Sequence, residues 1–377
     1  MGRPTIAEID LDALRFNAGQ VREWIKGEAE ILAVVKADAY GHGAGPVARE
    51  LESAGVNIFG VATGEEGREL RHAGLSATVL VLAGIDPQDL GEVIQSDLTP
   101  VLFDLDTARL LDLQAGNLRK NLTVHLKVDT GMSRLGIPWR EWEAAVDVLP
   151  SLKNLKIEGL MSHLAMAESE APEDRAFTEE QIRRFQSCLE YIGQRGMEPR
   201  YVHLANSAAT TLWEKARFNL VRPGLMLYGM HPAPHLKRYI SLRPALCWKT
   251  KILSLKRAPA GDSVSYGGTY KCSTDNLIAT LPVGYADGYN RRLSNRAEVL
   301  VRGKRARVAG IVCMDLTMID VSQIPDVQAG DEVVLLGKQG TDEISAVEMA
   351  GWMETIPYEV LCGIGKRVPR RYLRRKG

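Results

Sequence analysis

The stretch ILAVVKADAYGHGA (31–44) decides how this chain folds. Five apolar residues (31–35) run without alternation into a lysine. An uninterrupted apolar run of this length reads as a strand buried on both faces, the pattern of parallel sheets. Lys36 stands where that strand ends, with Tyr40, Gly41, His42 and Gly43 in the loop beyond. A lysine there can simply snorkel its ammonium to water over an apolar stem. It can also carry an amine that does chemistry, as in Schiff-base catalysis. The glycines at 41, 43 and 45 are spaced G-x-G-x-G, and Lys36 to Tyr40 separate them from the strand, so they match a nucleotide loop poorly.

Outward from this stretch the pattern repeats. Eight apolar runs fall between residue 31 and about 230: ILAVV (31–35), IFGVA (58–62), TVLVLA (78–83), LTPVLF (98–103), LTVHLKV (122–128), LKIEGLMS (155–162), YVHLA (201–205) and FNLVRPGLMLYG (218–229). Amphipathic segments lie between them. GEEGRELRHAG (64–74) sets Leu70 among charges and ends on a glycine stop. In 173–196, Phe177, Ile182, Phe185, Leu189 and Ile192 recur near helical spacing. Eight strand–helix units in about 200 residues predict an α/β fold, a (β/α)8 TIM-like barrel. An open doubly wound sheet normally needs fewer strands.

After Gly229 the texture changes. MHPAPHLKRYISLRP (230–244) carries three prolines and reads as a linker. Beyond it apolar and polar residues alternate, as in 297–321 and DEVVLLG (331–337), predicting a C-terminal mostly-β domain. One helix should interrupt it, with Ser345 and Glu348 as a capping box. TIAEID (5–10) also alternates. The expected division is an N-terminal strand at 1–10 pairing with the β domain, a barrel at 11–240 and the β domain at 241–377.

The chain has 377 residues, with 47 Lys plus Arg against 47 Asp plus Glu, so no global field draws it to nucleic acid or anionic lipid. The basic end, Lys366, Arg367, Arg370, Arg371, Arg374, Arg375 and Lys376, reads as a solvated terminus. Five cysteines stand far apart with no C-x-x-C pair, which disfavours a disulfide framework or a zinc site and fits a reducing compartment. No h-region opens the sequence, and no run nears the ~18 apolar residues of a membrane span. The expectation is a cytoplasmic protein with no metal, nucleic-acid or membrane partner.

In a barrel of this kind chemistry sits at the C-terminal strand ends. Strand one ends at Lys36 and Tyr40; strand five leads through Lys127 to Arg134; strand six ends at His163. Strand seven ends at His203, Asn206 and Ser207, and strand eight holds Arg222. Any one of these has an ordinary structural explanation. Their joint placement on one rim is harder to explain that way. Ser207 should cap the helix AATTLWEKA, with Gly224 beside it after strand eight, where barrels often hold a phosphate. A phosphate site, an imine-forming amine and surrounding cationic and aromatic groups suit pyridoxal 5'-phosphate bound through Lys36.

With these residues in place, the chain resembles the alanine racemase family of barrel-type (fold type III) pyridoxal-phosphate enzymes. The matching blocks are AVVKADAYGHG, HLKVDTGMSRLG, ANSAAT, VRPGLMLYG, VSYGGTY, LPVGYADGY, CMDLTMID and YEVLCGIGKRVPRRY, in order along essentially the whole chain. The resemblance implies a homodimer that interconverts L-alanine and D-alanine, supplying D-alanine for peptidoglycan. Lys36 would bind the cofactor and act as one base, and Tyr266 from the second subunit as the opposite base. Arg222 would bond the pyridine nitrogen, and His163 would link Arg222 to Tyr266. Tyr40, Asn206, Ser207, Tyr358 and the backbone of Gly224 and Leu225 would hold the cofactor. Arg134 and the Met314 backbone would bind the substrate carboxylate, while Tyr285 and Tyr358 narrow the approach. Lys127 matches a position carbamylated in many members. One departure shows: Ile311 stands where the family usually has an arginine lining the outer approach.

These residue types suit the reaction. Racemisation removes a proton from one face of Cα and delivers one to the other, so two flanking bases are economical. A phenol with a pKa near 10 is a poor base, and a cationic His163 and Arg222 beside Tyr266 should lower it. Arginine at the ring nitrogen stays a donor, where a decarboxylase of this fold would need a carboxylate. A non-catalytic cofactor carrier built on the same barrel should lack both Tyr266 and the β domain. A serine or broad-specificity racemase is the alternative within the class.

Overall fold

The chain divides into two units in a computed structural model that describes residues 3–86 and 88–374. One unit comprises the segment up to Asp12, Tyr40–Gly43 and the chain from Pro244 onward; the other comprises Ala13–Ala39 and Ala44–Arg243. The first strand, β1 (Ile6–Asp10), belongs to the former.

The second unit is built on β2 (Glu30–Val34), β3 (Ile58–Val61), β4 (Thr78–Val81), β5 (Thr99–Leu102), β6 (Leu122–Asp129), β7 (Ile137–Pro138), β8 (Leu155–Met161), β9 (Tyr201–His203) and β10 (Leu220–Val221). The order is β10-β2-β3-β4-β5-β6-β8-β9, with β7 beside β6. Neighbours pair in parallel; β2 meets β3 in the register Leu32↔Ile58. A parallel bridge between Asn206 and Arg222 brings the outermost strand ends together, so the eight-stranded barrel is nearly closed. Being covered on both faces is why 31–35 tolerates no polar residue, and Leu32 and Ala33 are fully buried. The outer helix Pro172–Gln194 starts on proline and buries Ile182, Phe185, Cys188 and Ile192. Each such side chain removed from water contributes about 1.5–3 kcal/mol.

Two stretches of the chain between the eighth strand and the β-rich unit depart from their sequence reading. The eighth run, 218–229, is strand only over Leu220–Val221. Pro223 has no N–H for a ladder, and Leu225–Tyr228 winds into a 3-10 turn that ends on Gly229 at φ 86°. The stretch read as a linker, 230–244, is packed: Leu236 and Ile240 are buried, and Asn17 exchanges two hydrogen bonds with the Arg243 backbone.

The first unit continues with β11 (Leu246–Lys251), β12 (Ser254–Ala258), β13 (Ser263–Val264), β14 (Tyr270–Lys271), β15 (Asn276–Leu281), β16 (Glu298–Val301), β17 (Lys304–Val308), β18 (Thr317–Asp320), β19 (Glu332–Gln339), β20 (Asp342–Ile344) and β21 (Arg370–Leu373). The main sheet runs β12-β15-β18-β17-β16-β19-β11-β1-β21, with β20 on β19 and a separate β13-β14 hairpin. β1 lies antiparallel to β11 and parallel to β21, and its alternate residues Ala7 and Ile9 are fully buried. Two helices, not one, interrupt the strands: Ala346–Met353 and Pro357–Cys362. Ser345 does cap the first, its Oγ accepting from the Glu348 N–H at 3.1 Å. Glu348 does not complete the box, because its carboxylate goes to Arg305 at 2.6 Å, which also binds Glu298 and Asp342.

The basic end is built into this unit. Arg370 donates to the carbonyls of Gly41, Ile364, Gly365 and Val368, and Arg367 pairs with Asp287 and Asp315. Arg375 and Lys376 lie outside the described residues. Among the described residues no helix is long and apolar enough to cross a membrane.

Candidate active site

Lys36 ends β2 and opens a left-handed turn. Ala37, Asp38 and Ala39 all sit near φ 53°. Such a conformation costs about 1–2 kcal/mol per residue for L-amino acids, so the surroundings must impose it. Three hydrogen bonds do so. Ala39 N–H donates to the Val35 carbonyl at 2.8 Å, Asp38 Oδ1 accepts from Ala44 N–H at 2.7 Å, and Ala37 N–H donates to Glu66 Oε1 at 2.7 Å. Glu66 Oε2 accepts from Ala62 N–H at 2.7 Å, so one carboxylate ties together the ends of β2 and β3. Glu66 escaped the sequence reading. Its only signal was the third helical position after Thr63, which caps it.

Arg222 lies at the end of β10 and is 4% exposed. Its guanidinium donates to the carbonyls of His203 and Ser162 at 2.7 Å each and of Leu204 at 3.1 Å. It also meets His163 Nδ1 and His203 Nδ1 at 3.3 Å each. No carboxylate pairs with it among the described residues. Burial, then Arg134, pull its pKa down to about 9, so it stays a cation at neutral pH. The same groups overturn one expectation: His163 is not cationic. Burial, followed by Arg222, Arg134, Lys127 and Lys36, holds it well below the ordinary imidazole range. The link from Arg222 to His163 stands as an imidazole accepting from a guanidinium.

The expected helix cap shifts by one residue. Asn206 caps Ser207–Leu212, its Oδ1 accepting from Ala209 N–H at 3.0 Å. Ser207 Oγ instead accepts from Gly224 N–H at 2.9 Å, which leaves the hydroxyl's own proton to donate. Leu225 follows Gly224 and is 1% exposed.

Lys127 is buried in β6, not solvated. Burial, then Arg222 and Arg134, lower its pKa to about 8. The Asp129 carboxylate accepts from the amides of Gly131 and Met132, folding the loop that carries Arg134.

The remaining residues fall in the β-rich unit. Tyr40 is buried with its ring 5.9 Å from that of Tyr358, and burial followed by Tyr358 raises its pKa, so it is a neutral donor. Tyr266 is 72% exposed on a 3-10 turn after Ser265, whose Oγ donates to the Ile311 carbonyl at 2.6 Å. Tyr285 N–H donates to the Cys313 carbonyl at 3.0 Å and Ala286 N–H to the Met314 carbonyl at 3.0 Å, so the Tyr285 and Met314 segments are held as one. The fully buried Asp287 fixes that turn. It accepts from Gly284 N–H at 3.0 Å and pairs with Arg3 and Arg367. Asp287→Ala takes the carboxylate from Arg3 and the acceptor from Gly284 N–H, while Arg367 keeps Asp315, and the urea midpoint should fall by the equivalent of about 2 kcal/mol. An unchanged midpoint would show the cluster to be solvent-compensated.

The donor set fits pyridoxal 5'-phosphate. An amine ends β2, Ser207 can donate to an oxyanion, and Arg222 Nε carries no hydrogen bond among the described residues, which suits a ring-nitrogen acceptor. The sequence also missed the pairing of His125 with His203, although His125 precedes Lys127 by two residues and so shares its strand face.

A nearly closed parallel barrel, with an amine and a buried guanidinium at its strand ends and a mostly-β unit after it, defines a class of barrel enzyme. The model of the alanine racemase N-terminal domain matches residues 9–232, and that of the C-terminal domain residues 245–372. The chain is 48% identical to the alanine racemase of Halothermothrix orenii, covering 100% of this chain and 98% of that protein. It is 47% identical to that of Geobacter sulfurreducens, covering 98% and 97%. The crystal structure of alanine racemase from Bacillus anthracis with bound L-Ala-P superposes with a TM-score of 0.93 at 36% identity, over 99% of this chain and 96% of that one. That from Streptomyces lavendulae gives 0.92 at 35%, over 99% and 98%. The chain belongs to the alanine racemase family.

Proposed function

We propose that this protein interconverts L-alanine and D-alanine with pyridoxal 5'-phosphate held through Lys36, acts as a homodimer, and supplies D-alanine for peptidoglycan. The observation that carries the reading is Arg222: a buried guanidinium without a carboxylate partner among the described residues, its Nε left to donate. The cofactor, when bound, supplies an electron-withdrawing ring that acidifies the Cα–H of an attached amino acid. Arg222 keeps its proton and only donates to the ring nitrogen, which tempers that withdrawal and favours prompt return of the proton to Cα. The Lys36 amine takes or gives the proton on one face. The partner subunit's Tyr266 does so on the other, its phenolate favoured by the positive charge of Arg222 rather than by His163. Ser207, Asn206, Tyr40, Tyr358 and the Leu225 backbone hold the phosphate end, joined by the Gly224 N–H when it turns from Ser207 Oγ to the phosphate. Arg134 and the Met314 N–H bind the substrate carboxylate, and Tyr285 and Tyr358 exclude longer side chains. The family identity over the whole chain supports alanine as substrate.

Polarimetry with L-alanine, L-serine, L-lysine and L-ornithine tests the reading. Alanine should racemise fastest. Faster serine turnover would shift the reading to a serine racemase, and no turnover of any would overturn it.

Lys127 is the candidate for carbamylation. An amine with a pKa near 8 keeps a neutral, nucleophilic fraction near physiological pH. The ammonium first gives up one proton; the neutral nitrogen then bonds the carbon of carbon dioxide and releases a second, so a cation among Arg222, Arg134 and Lys36 becomes an anion that can fix Arg134. The bare ammonium destabilises the fold below pH about 8, and the penalty fades as pH rises from there towards 10.5, since the unfolded chain then binds more protons. Carbon-13 bicarbonate should therefore yield a carbamate resonance that grows with pH through about 8 and is missing in Lys127→Ala. The same resonance in that variant would assign the carbamate elsewhere.

A further inference from the structure

Behind Arg222 lies a chain of two buried imidazoles. His203 and His125 are both fully buried, and His125 Nδ1 is 2.8 Å from His203 Nε2. On its other side His203 Nδ1 is 3.3 Å from an Arg222 terminal nitrogen. The His125 and Tyr201 rings stack at 5.9 Å. Room for the imidazole is made by Gly159 on the adjacent strand: a Cβ there would stand 2.2 Å from His125 Nδ1.

Hydrogen-bond polarity along this chain follows from its one unambiguous member. A guanidinium has donors only. The His203 Nδ1 that faces it must be the unprotonated, accepting nitrogen, which puts the single ring proton on Nε2. That proton is donated to His125 Nδ1, so Nδ1 of the second ring is also an acceptor. The opposite polarity would set an imidazole N–H against a guanidinium N–H in a buried site, which is repulsive; the polarity given leaves only the His125 Nε2–H without a partner among the described residues. Neither ring escapes by charging. Burial, then Arg222, hold His125 down at about 3, and hold His203 far below the imidazole range.

The geometry points to His125 as a positioning residue for Arg222: it accepts from the His203 Nε2–H and so anchors that ring with Nδ1 facing the guanidinium. The inference rests on the role given to Arg222 above. It adds that the direction of this guanidinium is set two residues deeper than any group that touches substrate. Without an acceptor at position 125, the buried His203 Nε2–H loses its partner, and the ring must turn to recover one, which carries Nδ1 off the guanidinium. The guanidinium then loses one acceptor while the carbonyls of His203, Ser162 and Leu204 still hold it, so the donor offered at the strand ends tilts and is not lost. His163 Nδ1 lies 3.3 Å from the other terminal nitrogen and shares it with the Ser162 and Leu204 carbonyls.

The test reads the tautomer directly. In the holoenzyme labelled with nitrogen-15 histidine, His203 should show a protonated Nε2 and an unprotonated Nδ1, assigned by its loss in His203→Gln. A protonated Nδ1 in the wild-type protein overturns the inference, whether or not the protein racemises alanine. In His125→Leu, kcat for alanine should fall about tenfold with KM nearly unchanged, as expected for a group displaced from its working position. The cofactor's visible absorbance should shift with it. His125→Asn, whose Oδ1 stands in for Nδ1, should recover most of both. A folded Leu variant with wild-type kcat and absorbance, or an Asn variant no better than Leu, counts against the positioning role. If the Leu variant fails to fold, the wild-type tautomer still decides.

Discussion

Lys36→Ala should abolish alanine racemisation, by at least about 10⁴-fold, while the protein stays folded. The change removes the covalent attachment and one of the two bases together, so its effect exceeds that of losing a base alone. The purified variant should also lack the visible absorbance of lysine-bound pyridoxal phosphate. Folding should survive because Lys36 is exposed and follows the buried strand instead of filling it. The left-handed turn behind it is held by backbone amides, Asp38 and Glu66, none of which the substitution touches. A folded variant that keeps both absorbance and turnover would place the chemistry on another amine.

The second large effect is a recovery. Lys36→Ala and Tyr266→Ala should each be inactive, yet unfolding and reassembling them in equal amounts should restore roughly a quarter of wild-type sites. Random pairing makes about half the dimers mixed. A mixed dimer owns one intact site, with the lysine of one chain and the tyrosine of the other, and one site with both lesions. Tyr266 is suited to this role: a large phenol 72% exposed in the single chain, on a turn beside a glycine pair. Were both residues drawn from one chain, every site would keep a lesion. A verified heterodimer no more active than its parents would thus remove the shared site.

Much of this was legible in order along the chain. A strand covered on both faces must be apolar at consecutive positions, so 31–35, 58–62 and 78–83 announced parallel strands. Alternation at 5–10 and beyond 297 announced half-buried ones, because successive strand side chains face opposite ways. Lys36, Lys127, His163, Ser207 and Arg222 could be placed at strand ends by the same periodicity. These are local rules, and they act between residues a few positions apart.

What the tertiary structure decided depends on neighbours that periodicity does not bring together. Ser207 precedes a helical run and so reads as its cap, but Asn206 takes the cap and Ser207 meets Gly224, a choice settled only when two strand ends meet. Glu348 stood at capping-box spacing, yet Arg305, 43 residues away, captures its carboxylate with the stronger charged hydrogen bond. His163 reads as a cation in sequence because an imidazole in water is half-charged near neutral pH. Burial among Arg222, Arg134 and Lys127 removes that option. Sequence periodicity thus determined which residues reach the barrel's rim. Desolvation and contact between residues distant in the chain decided which of them are charged, which donate and which accept, because those properties belong to an environment and not to a residue type.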